Sequence, residues 1–238
     1  SSSIKSSEIR FGECNKQLLE EVIFYGISLG ADFVELFIEN SDNSNVLAEE
    51  DFITSVSPSF GKGAGIRIFK DKRDGFVSTN DLSKHGLMRS ISQAIEMLDI
   101  SEKTNTSIFN GLRKLKDYSK SKINWLKEVP TINEVSDKLL LSTRSLKKDK
   151  KVVVRKGSYS RNWQEVIIAS SDGTYATDIR LHQTVGLNII ANDAQYRSNG
   201  SRRFGSHGIP NEFRLWDHEK AANEVYESSM NMLYADYV

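Results

Sequence analysis

The chain has 238 residues, 38% of them hydrophobic, and lysine plus arginine equals aspartate plus glutamate at 32 each. That length holds one large or two small packed domains, and the balanced charge provides no global field to select nucleic acid or an acidic membrane. The single cysteine, Cys14, excludes an intrachain disulfide and a cysteine-rich metal cluster. That usage suits a reducing compartment such as the cytoplasm, and neither a signal-peptide core nor a membrane-length apolar run is visible.

From Asn15 to Leu29, Leu18, Leu19, Val22, Ile23 and Ile27 recur at helical spacing, and Gly30 is a natural stop. Ala31 to Glu39 then alternates as a strand, with Val34, Leu36 and Ile38 on one face. Further short strands are predicted near 45–49, 52–56, 64–69 and 75–79, joined by turns rich in Asn, Asp, Ser and Gly. The glycines of Gly61-Lys62-Gly63-Ala64-Gly65 invite a phosphate-loop reading, but that loop needs a strand before it and a helix after it. Here the glycines lead into the β-rich Ile66-Arg67-Ile68-Phe69. They read as the entry to a hairpin whose turn pair is Asp74-Gly75.

Asp81 or Ser83 caps a second predicted helix with Leu87, Met88, Ile91, Ala94, Ile95 and Leu98 on its buried stripe. Residues 101–130 are polar and basic and read as a connector. A nucleic-acid patch is the sharper alternative, disfavoured by Asp117 and by the overall neutrality. After Pro130 the plan repeats: a helix capped by Thr131 or Asn133 carries Ile132, Val135, Leu139 and Leu146, and strands follow near 151–158, 164–170, 175–179, 180–192 and 194–198. Asp172-Gly173 and Asn199-Gly200 are its turn pairs, and Asp217 to Tyr234 is a closing helix with Ala222, Val225, Met232 and Leu233 on its stripe. The expected fold is α+β, with repeated helix plus antiparallel β-meander units in two subdomains. Residues 1–100 form the first, 101–130 the connector and 131–238 the second.

The chemistry-bearing residues are scattered. His218-Glu219 supplies half of a helical zinc motif, but one turn later stand Ala222 and Asn223 in place of a second imidazole. His85 and His182 read as structural or surface groups. In Gly205-Ser206-His207-Gly208 the adjacent serine and histidine point to opposite sides of an extended chain, a poor arrangement for proton transfer. Cys14, just before a helix, reads as an ordinary small residue. Asp172 and Asp178, with Arg180, read as turn chemistry and a surface ion pair beside the alternative of binding a peptide or a neighbouring domain. No catalytic or metal-ligating residue is assigned. Short antiparallel strands also suit a peptide that adds to an exposed sheet edge.

Several stretches in succession resemble the N-terminal half of the TldD/PmbA family, the metalloproteases also labelled modulators of DNA gyrase, and the TldD branch most. They are Gly30-Ala31-Asp32-Phe33-Val34-Glu35-Leu36, Gly63-Ala64-Gly65-Ile66-Arg67, Asp74 to Ser83, Ala169-Ser170-Ser171-Asp172-Gly173, Asp178-Ile179-Arg180 and Met232-Leu233-Tyr234-Ala235. The resemblance implies a zinc metallopeptidase acting on unfolded peptides, with a TldE/PmbA-like partner subunit or a homodimer. Its zinc motif, His-Glu-x-x-x-His with a later cysteine, is expected beyond Val238, so the segment itself is expected to be inactive. The role expected here is substrate admission and subunit contact; the competing role is a non-enzymatic peptide- or partner-binding module. Arg67, Asn80, Asp172 and Arg180 are the candidate peptide contacts, with hairpin structure as the alternative reading.

Overall fold

A computed structural model describes residues 11, 14–99, 107–114, 128–208 and 211–235. It shows an α+β fold with a seven-stranded sheet in the order β3-β2-β1-β5-β6-β4, with β7 pairing β6. The strands are β1 Phe33–Glu49, β2 Phe52–Lys70, β3 Arg73–Thr79, β4 Arg113–Lys114, β5 Val152–Ser170, β6 Thr174–Asp193 and β7 Tyr196–His207. The helices are α1 Lys16–Ser28, α2 Lys84–Met97, α3 Ile132–Ser145, α4 Glu212–Leu215 and α5 His218–Leu233. Two compact units divide the chain, the first from residues 1–41, 60–120 and 164–179, the second from 42–59, 121–163 and 180–238. This spatial grouping differs from the expected sequential division, because β1, β2, β5 and β6 each contribute one stretch to each unit.

In the first unit, Asn15 caps α1 by accepting from the Leu18 amide at 2.9 Å, and Ser83 caps α2 by accepting from the Gly86 amide at 3.1 Å. Leu19, Val22 and Ile23 of α1 and Leu87 and Ile91 of α2 bury one apolar stripe each, in a core with Leu36, Ile66 and Ile68. Part of the expected connector belongs here too. Leu112 is buried in this core, its amide donates to Glu20 Oε1 at 2.9 Å, and β4 pairs in parallel with the start of β6. Residues 115–127 lie outside the described residues.

The glycine stretch lies inside β2 and leads, as expected, into the β2–β3 hairpin, whose pairing begins at Ala64 with Thr79. Gly61, Gly63 and Gly65 fall on one face of β2, and a methyl group there would meet Ser41 Oγ at 2.7 Å, Asn80 Oδ1 at 2.9 Å and the Phe76 ring at 3.1 Å respectively. The turn lies earlier than Asp74-Gly75, at Asp71-Lys72. Both residues have positive φ, 49° and 68°, the type I′ geometry that matches strand twist. Asp32 holds that turn, accepting from the Asp71 amide at 3.0 Å and from Lys70 Nζ at 3.1 Å. Asp74 and Gly75 instead pair with Phe69 and Ile68.

In the second unit, Thr131 and Glu134 form a capping box at the start of α3. Val135, Leu139, Val225, Val185, Leu187 and Ile189 share its core. Asn199-Gly200 is also strand interior, since β6 turns into β7 at Ala194-Gln195 and Ile189 pairs with Gly200. Gly200 is required by close approach: a Cβ there would lie 2.4 Å from the Val225 carbonyl oxygen of α5. The buried stripe of α5 is Ala221, Ala222, Val225, Ser229 and Leu233, and Met232 lies outside it, 58% exposed. Asp172-Gly173 does turn the chain, with Gly173 at φ 95°.

Candidate functional site

Alternation along the strands gives the second unit two unlike sheet faces. Ser198 and Gly200 of β7 face α5, with Ser198 Oγ 2.8 Å from Ser229 Oγ. The other face is open and forms a groove of about 690 Å³. Thr54, Leu47, Ser158, Asn188 and Ser201 line it, one from each of β2, β1, β5, β6 and β7. Gly186 belongs to the same lining, and a Cβ there would come within 2.8 Å of Ser158 Oγ. Lys156 is paired with Glu49 at 3.2 Å, while Arg203 adds a positive charge. Asn188 donates to Asn199 and, at 3.3 Å, to the Gly200 carbonyl. Hydroxyls, amides and a few charges on a broad face are the groups that hydrogen-bond a polypeptide backbone.

The sheet also has a free edge. β3 pairs only with Ala64–Lys70 of β2, so among the described residues positions 52–59 have a strand partner on the β1 side alone. Phe52 is 73% and Val56 45% exposed on this stretch. An unpaired edge offers main-chain donors and acceptors to an added strand.

Of the four residues predicted from sequence, Arg67, Asn80 and Asp172 belong to the first unit and Arg180 to the second. Arg67 donates to Asp74 Oδ2 from Nε at 3.2 Å and from Nη2 at 3.0 Å, and its guanidinium lies 4.8 Å from the centroid of the Phe69 ring. Asn80 is exposed just after β3. Asp172 accepts from Ser170 Oγ at 2.6 Å and from the Thr174 amide at 2.9 Å; these bonds, the Ser170 one first, hold its carboxyl below the usual range. No described hydrogen bond or ion pair joins these three to one another. Arg180 is an exposed residue of β6 in the second unit.

Burial pushes the Cys14 thiol up to about 11, so it is no activated nucleophile. Ser206 and His207 occupy successive positions of β7 and so project to opposite faces. Among the described residues no group of three or more His, Cys, Asp or Glu side chains is placed to hold a metal. The open groove escaped sequence reasoning because its lining comes from five strands; its local signal is the every-second-residue placing of Lys156 and Ser158 on β5 and of Gly186 and Asn188 on β6, three of them polar.

Two family models match the chain in order, PmbA/TldA metallopeptidase domain 1 over residues 34–98 and the PmbA/TldA metallopeptidase central domain over residues 119–233. The chain belongs to the TldD/PmbA metallopeptidase family. A metalloprotease TldD homolog of Haemophilus influenzae is 23% identical over 197 residues, covering 82% of this chain and 39% of the relative. A metalloprotease of Methanocaldococcus jannaschii is 24% identical over 202 residues, covering 82% of this chain and 42% of the relative. The chain thus spans about two fifths of the length of these curated relatives. Among solved structures, a Thermotoga maritima protein described as a modulator of a DNA gyrase superposes with a TM-score of 0.71 at 14% identity, covering 93% of this chain and 49% of that one. TldE from Thermococcus kodakarensis gives 0.67 at 20% identity, with coverages of 87% and 47%. At these identities the solved structures speak for the fold alone.

Proposed function

We propose that this chain is the substrate-admitting and subunit-contacting part of a TldD-like zinc metallopeptidase that processes unfolded peptides. The observation that carries this reading is the ordered match to the first and central metallopeptidase domains. The described residues do not fit a catalytic zinc, which needs three protein ligands, and the chain covers about two fifths of its curated relatives, so the proposal assigns the metal and its general base to the part of those relatives that this chain does not cover. No step of hydrolysis is therefore routed through this chain. Its contribution is the polar open face of the second unit, with Arg67, Asn80, Asp172 and Arg180 as the proposed further peptide contacts. A TldE/PmbA-like subunit is the proposed partner, by analogy with the TldE neighbour, with a homodimer as the other possibility. The proposed location is the cytoplasm, supported by the single cysteine; no helix of the described residues is long and apolar enough to cross a membrane.

Zinc content and peptide hydrolysis, measured on this chain and on a version extended to the length of its relatives, test the reading. Turnover is expected only after extension, and Arg67→Ala with Arg180→Ala should slow it without loss of folding. Hydrolysis by the 238-residue chain itself, or an extended chain that binds no zinc, removes the proposal. Unchanged turnover in the arginine variants removes only those contacts. A second reading, a non-enzymatic module that binds a peptide or partner by strand addition, is favoured by the free β2 edge with Phe52 and Val56 exposed. Peptide binding abolished by Val56→Pro in a chain that never gains hydrolytic activity is its signature.

A further inference from the structure

Two histidines 25 positions apart in sequence are direct cross-strand partners: His182 of β6 is in register with His207 of β7. Their Nδ1 atoms lie 3.1 Å apart, and the rings meet edge to face with centroids 4.3 Å apart. Both are exposed. His207 has the parity of Ser201 and Arg203, not that of the positions facing α5, so the pair stands on the open face of the sheet.

Two neutral imidazoles at this separation share one hydrogen bond when one Nδ1 carries a proton and the other does not. The same separation is a chelating bite. Nitrogens about 2.0–2.1 Å from a metal and 3.1 Å from each other subtend an angle of about 100° at it, between the square-planar and tetrahedral values. Twelve consecutive residue pairs fix the register of β6 against β7, so the second ligand is brought to the first by folding.

We propose that His182 and His207 form a bidentate site for a divalent transition-metal ion of the copper, nickel and zinc class, with water filling the remaining positions. Imidazole suits all three ions, and affinity for nitrogen donors peaks at Cu²⁺. Among the described residues no third His, Cys, Asp or Glu completes a set with them, so the site is a capture site of modest affinity with open positions. Arg180, two residues along β6 on the same face, is a like charge that the metal has to tolerate. The site uses only this chain's histidines and does not rest on the peptidase reading.

Titrating the 238-residue chain with Cu²⁺, followed by electron paramagnetic resonance, and with Zn²⁺ against a chromophoric chelator tests the site. One Cu²⁺ per chain with hyperfine coupling from two imidazole nitrogens is expected. His182→Asn or His207→Asn should weaken both metals at least about tenfold. His85→Asn and His218→Asn should leave both affinities unchanged. Affinity that survives the double variant H182N/H207N, or that falls equally in His85→Asn, overturns the site. Should a variant fold poorly, Zn²⁺ protection of His182 and His207 against diethyl pyrocarbonate in the native chain is the alternative readout; full modification in the presence of Zn²⁺ overturns the site as well.

Discussion

In the first unit, the layer between helices and sheet is hydrocarbon where Leu19, Ile23, Leu87 and Ile91 meet Leu36, Ile66 and Ile68. The corresponding layer of the second unit has its own apolar cluster but also encloses two arginines. Arg155 donates to Glu50 Oε2 from Nε at 2.8 Å and from Nη2 at 2.5 Å, and Arg161 Nη2 donates to both carboxylate oxygens of Asp42 at 3.1 Å. Tyr159 donates to Gln183 Oε1 at 2.9 Å between them. Both ion pairs join β5 to β1 or to the turn that follows it. The β1 residues there, Asp42-Asn43-Ser44-Asn45, carry almost no apolar alternation to set a register. The lesson is that directional bonds take over register where the hydrophobic pattern runs out, and a slip by one residue would carry both arginines to the open face.

Paired substitutions probe that difference hardest. Ile23→Ala should cost the first unit about 4 kcal/mol through lost burial and a cavity. Glu50→Ala should cost the second about 2 kcal/mol, because buried Arg155 then keeps only Asp51 at 3.8 Å and the Thr143 carbonyl at 3.3 Å. Urea unfolding of both variants is the measurement; a Glu50→Ala cost below about 1 kcal/mol would show that the ion pair does not hold the second unit's register. A comparable effect is expected at Gly200→Ala, about 2 kcal/mol, from forcing α5 off β7, whereas alanine at the neighbouring position 199 should be close to neutral. The smallest effect has the opposite sign. Lys72→Gly should stabilise the β2–β3 turn by about 1 kcal/mol, because lysine at φ 68° is strained, and a raised melting temperature would register it.

The four long helices were the legible part of the sequence, whereas the short α4 was not predicted. Their caps, Asn15, Ser83, Thr131 and Asp217, are local chemistry, and the observed bonds from Leu18, Gly86, Glu134 and Lys220 amides follow from it. Strand lengths were not legible. Ser57 to Gly63 and Ser158 to Trp163 have turn composition, yet both stretches stay extended within long strands of the sheet. Asp-Gly and Asn-Gly pairs divided the same way. Gly173 does turn the chain, while Gly75 and Gly200 are small because Ala94 of α2 and Val225 of α5 press on them. For the candidate site, the opposed faces of Ser206 and His207 are visible in sequence because alternation is local. The pairing of His207 with His182 depends on a register that only the folded sheet supplies.

The interleaving of the two units bears on how the chain reaches its fold during synthesis. Domains ordinarily fold in turn as they leave the ribosome, the first before the second. Here the first unit includes residues 164–179, which are made after α3 and after most of β5. Helices α1 and α2 therefore wait for the final strand segments of their own sheet while part of the second unit is already available. Contacts of such long sequence separation make for slow folding, with apolar stripes and strand edges exposed in the meantime. Nascent chains arrested before and after residue 179 should accordingly differ sharply in protease resistance, and a single cut between residues 100 and 131 should release neither unit intact.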